Sequence, residues 1–259
     1  MPSLRPLPAL SDNYIWLLSD EVAGTALVVD PGEARPVLDA LAANDLTLTA
    51  ILLTHHHSDH IGGTSELTDQ FPDAIVYAPH DDRIANAARR VADGDAITIA
   101  SPAVRFQVIE VHGHTRSHIA YHGEGLLFCG DTLFSLGCGR LFEGTPADML
   151  ASLDRLAALP GSTRVCCGHE YTLANAAFAR TVEPDNPVLV TRTDAARALR
   201  ARNAPTLPAV LENELAANPF LRVDSIHDDR MPWPSGAAPS QNRVDRFAAL
   251  RLAKDRFHA

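Results

Sequence analysis

The chain has 259 residues, long enough to bury a sizeable core as one large α/β domain or as one domain with a smaller appendage. Its 22 basic residues against 32 acidic ones leave a net charge of −10 that no basic tract relieves, which argues against a broad nucleic-acid-binding face. The start, MPSLRPLPAL, holds three prolines and no basic-then-apolar leader, and no apolar run is long enough to span a bilayer, so a soluble, cytoplasmic chain is expected.

In chain order, NYIWLL, ALVVD, AILLT, AIVYA, FQVIEV, IAYH, GLLFCGD and RVCCGH are short β-type runs. Between them ARPVLDALAAN, TSELTDQF and DMLASLDRLAALP carry apolar residues at helical spacing, the last ended by Pro160 and Gly161. This mixture predicts an α/β or α+β sandwich with helices covering the sheets up to about residue 170. Beyond His169 strand patterns nearly vanish, and LANAAFARTV, TDAARALRARN, AVLENELAAN and RVDRFAALRLAKDRF read as helices. The expected division is therefore residues 1–170 and a helical domain over 171–259, with MPWPSGAAPSQN as a loop before the last helix. Cys129, Cys138, Cys166 and Cys167, two of them adjacent, make a poor disulfide framework and are expected reduced, Cys129 as a small buried hydrophobe.

Residues 54–60 read THHHSDH, directly after the apolar run TAILL. Such a cluster is a metal site or only a polar loop, because imidazole and carboxylate groups suit divalent metals but also suit water. His55 and His57, two apart at a strand end, can point to one side, with His56 pointing away and Asp59 and His60 following in the turn. The same residue types end three later strand-like runs: HGHTRSH after FQVIEV, GDT after GLLFC, and GHE after RVCC. Loops at the ends of neighbouring strands converge, which would bring His114, Asp131 and His169 towards the THHHSDH turn. His56 and His80 are expected to be solvated or structural, and His122, His227 and His258 have no motif around them. His112 and His118 fit either a supporting role beside metal ligands or the surface.

In this pattern the chain resembles the metallo-β-lactamase fold, marked by H-x-H-x-D-H followed by a distant His, Asp and His. The resemblance implies an αββα sandwich with two divalent metals at one edge. His55, His57 and His114 would hold the first metal, Asp59, His60 and His169 the second, and Asp131 would bridge both. Zinc is the expected metal, while iron and manganese suit the same ligands.

GDTLFSLGCGRLFEGT at 130–145, CCGHEYTLAN, NPFLR at 218–222 and DNYIWLL near the start resemble glyoxalase II, the hydroxyacylglutathione hydrolases, over essentially the whole chain. That resemblance implies hydrolysis of S-(2-hydroxyacyl)glutathione, chiefly S-D-lactoylglutathione, to glutathione and D-lactate in methylglyoxal detoxification. Its glutathione contacts fall on Arg140, Phe142, Tyr171, Arg251 and Lys254. Asp59 would orient the attacking hydroxide shared by the metals and accept its proton. Lys254 is the single lysine of the chain. On a helical wheel Arg251 and Lys254 lie inside the arc spanned by Val244, Phe247, Leu250 and Phe257, where two cations want an anionic partner; the bland reading is snorkelling. The sequence departs from the pattern at His112, where proline is common, at Ser117, where glycine is common, and at Phe142, a tyrosine in some members.

Other readings remain within the fold: a mono-iron persulfide dioxygenase, a tRNA-processing nuclease, a lactonase or a β-lactamase. Outside it stands a non-catalytic metal- or thiol-binding protein. The helical tail and GCGRLFEG weigh against the dioxygenase, the acidic chain against the nuclease, and the full ligand set against loss of catalysis. Nothing in the sequence requires an oligomer, so a monomer is expected.

Overall fold

The computed structural model describes residues 2–258, which divide into two compact units, residues 2–110 with 117–130, and residues 111–116 with 131–258. In the first unit β1 (Ser3–Ala9), β2 (Asn13–Asp20) and β3 (Thr25–Val29) form an antiparallel meander. The chain then crosses through α1 (Arg35–Ala43) to β4 (Thr47–Leu52), parallel to β3. After α2 (Ser58–Ile61) and α3 (Thr64–Gln70) it enters β5 (Ile75–Pro79) and β6 (Arg89–Val91), both added parallel. Parallel neighbours need such crossovers, and the helices they bring cover one face of the sheet.

Alternation along β2 sorts its residues between two cores. Ile15 and Leu17 join Val28, Ile51 and Leu53 against Val37 and Leu41 of α1 and Leu67 of α3. Trp16 faces the other way, 6.4 Å from the ring of Phe128. Phe128 belongs to a second, antiparallel sheet of β7 (Ala96–Ile99), β8 (Val104–Glu110), β9 (Ile119–Gly123) and β10 (Leu126–Gly130). The Tyr121 hydroxyl of β9 donates to the Leu53 carbonyl at 2.9 Å, satisfying a buried polar group between the sheets. Burial on both faces explains why NYIWLL and AILL read as continuous apolar runs. β1 escapes that pattern because Pro6 and Pro8 interrupt it; as an edge strand it tolerates residues that cannot donate to a ladder.

The second unit contains the short hairpin β11 (Leu133–Phe134) and β12 (Gly137–Cys138), then α4 (Pro146–Ala157). Next come β13 (Arg164–Cys167), α5 (Thr172–Val182), α6 (Pro187–Arg200), β14 (Ala209–Val210), α7 (Leu211–Ala217) and α8 (Arg243–Arg256). α6 begins at Pro187, a full turn and more before the expected TDAARALRARN. Val188, Val190 and Thr191 blur its helical signal, yet Asn186 caps it by accepting from the Val188 and Leu189 amides, and Pro187 suits the first turn. Residues 231–242 form neither helix nor strand. In α8, Phe247 and Leu250 are buried as the wheel requires, and so is Arg246, whose guanidinium donates to the Val223 and Ile226 carbonyls and to Asp228. No described helix is long and apolar enough to cross a membrane.

Candidate metal and substrate site

In the first unit the THHHSDH turn leaves β4 and winds into α2, whose N-cap is His57 and whose first turn holds Asp59 and His60. His55 is fully buried, with its ring stacked on His118 at 4.5 Å and its Nε2 3.1 Å from Nδ1 of His57. His118 is thus a buried supporting residue, whereas His112 lies at the surface. Gly130 permits this close approach. A Cβ there would stand 2.3 Å from Thr54 Oγ1 and 2.9 Å from the His118 ring, and its φ of +47° suits glycine. His56 turns to Asp81, 3.4 Å from Oδ2, so it is a structural residue.

His60 shows why this turn suits a cation. Its Nδ1 lies 3.1 Å from Asp30 Oδ2, a partner that in the neutral ring places the proton on Nδ1. The lone pair on Nε2 then faces Asp59 Oδ2 at 3.5 Å, acceptor against acceptor. A positive ion resolves that opposition. Asp30 is itself held by the amide and hydroxyl of Thr54 at 2.8 and 2.7 Å. Asn13 donates to both the carbonyl and Oδ2 of Asp59, at 3.2 and 3.1 Å.

The second unit repeats the arrangement. His114 Nδ1 lies 2.9 Å from the Arg140 carbonyl, which only accepts, so in the neutral ring Nε2 presents its lone pair to Asp131 Oδ2 at 3.5 Å. His169 Nε2 approaches the same oxygen at 3.3 Å. All three residues are buried. Donors of these types, with the second ring nitrogens of His60 and His114 committed to a carboxylate and a carbonyl, are what a divalent ion requires.

Beside His114 and Asp131 opens a cleft of about 460 Å³, lined also by Phe134, Cys138 and the five residues Arg140, Phe142, Tyr171, Arg251 and Lys254. Tyr171 stacks flat on His169 at 4.7 Å, and Phe142, largely exposed, sets its edge against His114 at 5.2 Å. Arg251 is buried on the inward face of α8; it donates to the Cys138 carbonyl at 2.8 Å and pairs with Asp255 at 2.9 Å. Lys254, half-buried, reaches the Ala174 carbonyl at 3.2 Å and lies over the rings of Phe178 and Phe257. Burial chiefly, and then Arg251 and Arg140, hold its ammonium below the usual lysine range. All four cysteines are buried, and burial pushes the Cys138 thiol up to about 11 and Cys167 up to about 12, so neither is a nucleophile at neutral pH.

Comparison with known proteins agrees with this geometry. Residues 11–169 match the family model of the Metallo-beta-lactamase superfamily, and residues 170–257 match that of the Hydroxyacylglutathione hydrolase C-terminus. A hydroxyacylglutathione hydrolase of Xanthomonas campestris pv. campestris is 53% identical to this chain over 99% of both. The chain belongs to the hydroxyacylglutathione hydrolase family. Like other members of the metallo-β-lactamase superfamily it combines mixed sheets and covering helices, here with a helical C-terminal region. Among solved structures it resembles the BLEG-1 B3 metallo-beta-lactamase, with 25% identity and a TM-score of 0.62 over 85% of this chain and 99% of that one. It also resembles TTHA1623 in a di-iron-bound form, with 28% identity and a TM-score of 0.54 over 64% and 91%. Family membership and the histidine and carboxylate donors together support bound metal ions.

Three residues of this site have no place in the sequence motif: Asp30 beneath His60, Asn13 beside Asp59, and His118 beneath His55. Asp30 had a signal, since ALVVD ends a strand in an acid just as the donor runs do. Asn13 lies inside DNYIWLL, where nothing local tells a supporting amide from a turn residue.

Proposed function

We propose that this member of the hydroxyacylglutathione hydrolase family cleaves S-(2-hydroxyacyl)glutathione thioesters, S-D-lactoylglutathione foremost, to glutathione and a 2-hydroxy acid. The observation that carries this reading is the composition of one cleft. Metal-type donors, His114 and Asp131, share it with three cations, Arg140, Arg251 and Lys254, as a thioester substrate that carries two carboxylates demands.

Two divalent ions are proposed, zinc first and iron or manganese as alternates. His55, His57 and His114 would hold one; Asp59, His60 and His169 would hold the other, with Asp131 shared. When bound, the ions supply Lewis acidity to the thioester carbonyl and lower the pKa of a coordinated water towards neutrality. Asp59, steadied by Asn13, orients the attacking water and takes up its proton. Arg140, Arg251 and Lys254 hold the glutathione carboxylates, while Tyr171 and Phe142 flank the chain, so that binding energy is converted into orientation. The departing thiolate, whose parent thiol has a pKa of about 8.5, needs no strong general acid. Residues 1–170 thus supply most of the chemistry and 171–259 most of the recognition. We take the protein to act as a cytoplasmic monomer, without nucleic-acid or membrane partners.

The test is hydrolysis of S-D-lactoylglutathione by purified protein of measured metal content, followed by thiol release. Turnover with two metals per chain is expected. No turnover with both metals bound would overturn the proposal, and turnover with a single iron would require a revised site.

A further inference from the structure

The hairpin of β11 and β12 has only two residues in each strand, too few for a ladder to hold its own shape. It nonetheless sits at a demanding place. Asp131 precedes it, Phe134 and Cys138 on its two arms line the cleft, and Arg140 follows. Its turn is also conformationally costly, since Leu136, a branched residue, has a φ of +60°.

The groups that hold this turn come from helices behind the cleft. Glu214 of α7, fully buried, accepts from the Ser135 hydroxyl and the Leu136 amide, both at 2.7 Å. Asn218, just past the same helix, donates to the Phe134 and Gly137 carbonyls at 3.1 and 3.0 Å and lies 3.2 Å from Glu214 Oε2. Asn175 of α5 donates to the Ser135 carbonyl at 3.1 Å, and Arg192 of α6 to the Ser135 hydroxyl at 3.2 Å. Burial pushes the Glu214 carboxyl up, while the donors around it and Arg192 pull against that. An apolar side chain at 214 would strand the Leu136 amide and the Ser135 hydroxyl away from water. The line of contacts then continues outward, because the Cys138 carbonyl of β12 receives Arg251 Nη1 at 2.8 Å.

We propose that Glu214 is a positioning residue for substrate recognition: it fixes the 133–138 hairpin as a wall of the cleft and, through the Cys138 carbonyl, the direction in which Arg251 presents its guanidinium to a glutathione carboxylate. This rests on the thioesterase reading above. Glu214 touches neither substrate nor metal donor, so its effect falls on binding of the glutathione moiety and not on the chemical step.

Glu214→Gln keeps the volume but replaces one acceptor by a donor facing the Leu136 amide or the Ser135 hydroxyl. Ser135→Ala removes one bond to the carboxylate and carries the test if the first variant does not fold. Both are assayed with S-D-lactoylglutathione and with a lactoyl thioester of N-acetylcysteamine, which lacks the glutathione carboxylates. Expected for Glu214→Gln is a KM for the glutathione thioester raised about tenfold with kcat within about twofold. The value of kcat/KM for the truncated thioester and the metal content should be unchanged, and Ser135→Ala should shift KM in the same direction by less. An equal fall on both substrates, or wild-type kinetics in both variants, would overturn the proposal. Failure of the parent reading is seen separately, as wild-type protein inactive on S-D-lactoylglutathione.

Discussion

Asp131 Oδ2 lies 3.3 Å from His169 Nε2, and the same oxygen lies 3.5 Å from His114 Nε2. One carboxylate oxygen thus stands before two imidazole nitrogens, and in the neutral His114 ring, whose Nδ1 meets the Arg140 carbonyl, the facing Nε2 carries a lone pair. Asp131→Ala should therefore reduce bound metal, measured by emission spectrometry, and lower kcat/KM at least about 100-fold. Full metal content with wild-type turnover would remove Asp131 from the site.

Gly139 lets its segment pass close against the backbone of Asp131. A Cβ at 139 would stand 1.9 Å from the Asp131 carbonyl oxygen, a backbone atom with no rotamer to escape by. Gly139→Ala is expected to destabilise the protein by about 3 kcal/mol, read from denaturant unfolding, and to reduce metal content with it. A variant of unchanged stability and metal content would show that the segment relaxes freely.

Lys254→Ala should raise KM for S-D-lactoylglutathione about tenfold, equivalent to about 1.4 kcal/mol, with metal content and kcat little changed. The pH dependence has a definite sign. An ammonium must stay protonated to attract a carboxylate, so affinity falls as pH rises through its pKa, which burial and the nearby arginines hold below 10.5. In the wild type KM should begin to climb at a lower pH than an ordinary lysine would give, and Lys254→Ala should lose that limb. An identical alkaline limb in both proteins would assign it elsewhere.

Thr145 and Asp148 form a reciprocal capping box at the start of α4, with Thr145 Oγ1 accepting from the Asp148 amide at 3.2 Å and Asp148 Oδ2 accepting from the Thr145 amide at 2.9 Å. Thr145→Ala should cost about 1 kcal/mol at neutral pH. Chiefly the hydrogen bond from the Thr145 amide, then that from its hydroxyl, holds the Asp148 carboxyl below 3.8. The carboxylate's contribution is therefore present above pH 3.8 and lost as pH falls through its lower folded value. The difference between variant and wild type should narrow over that acid range; a constant difference would detach the cap from the carboxylate.

Much of the architecture was legible because it depends on local periodicity. NYIWLL, AILL, IVYA and FQVIE announce strands through apolar runs, and each of the seven predicted donors follows the end of such a run. α8 disclosed its inward face in the same way, with Phe247 and Leu250 buried and Arg251 among them. The less legible elements are those whose signal is diluted. β1 hides behind two prolines that only an edge position tolerates, and the start of α6 hides behind β-branched residues that a capping Asn186 makes acceptable.

The sequence by itself determined which residues are candidate donors and cations, because a metal motif is a matter of residue type and short spacing, and a helix face is a matter of period. Only the tertiary structure decided what holds them still. Asp30 meets the Thr54 amide across 24 positions, Asn13 meets Asp59 across 46, and Glu214 meets the Leu136 amide across 78. A buried polar group takes whatever partner the fold brings to it, and no local pattern in the chain records that partner before the chain has folded.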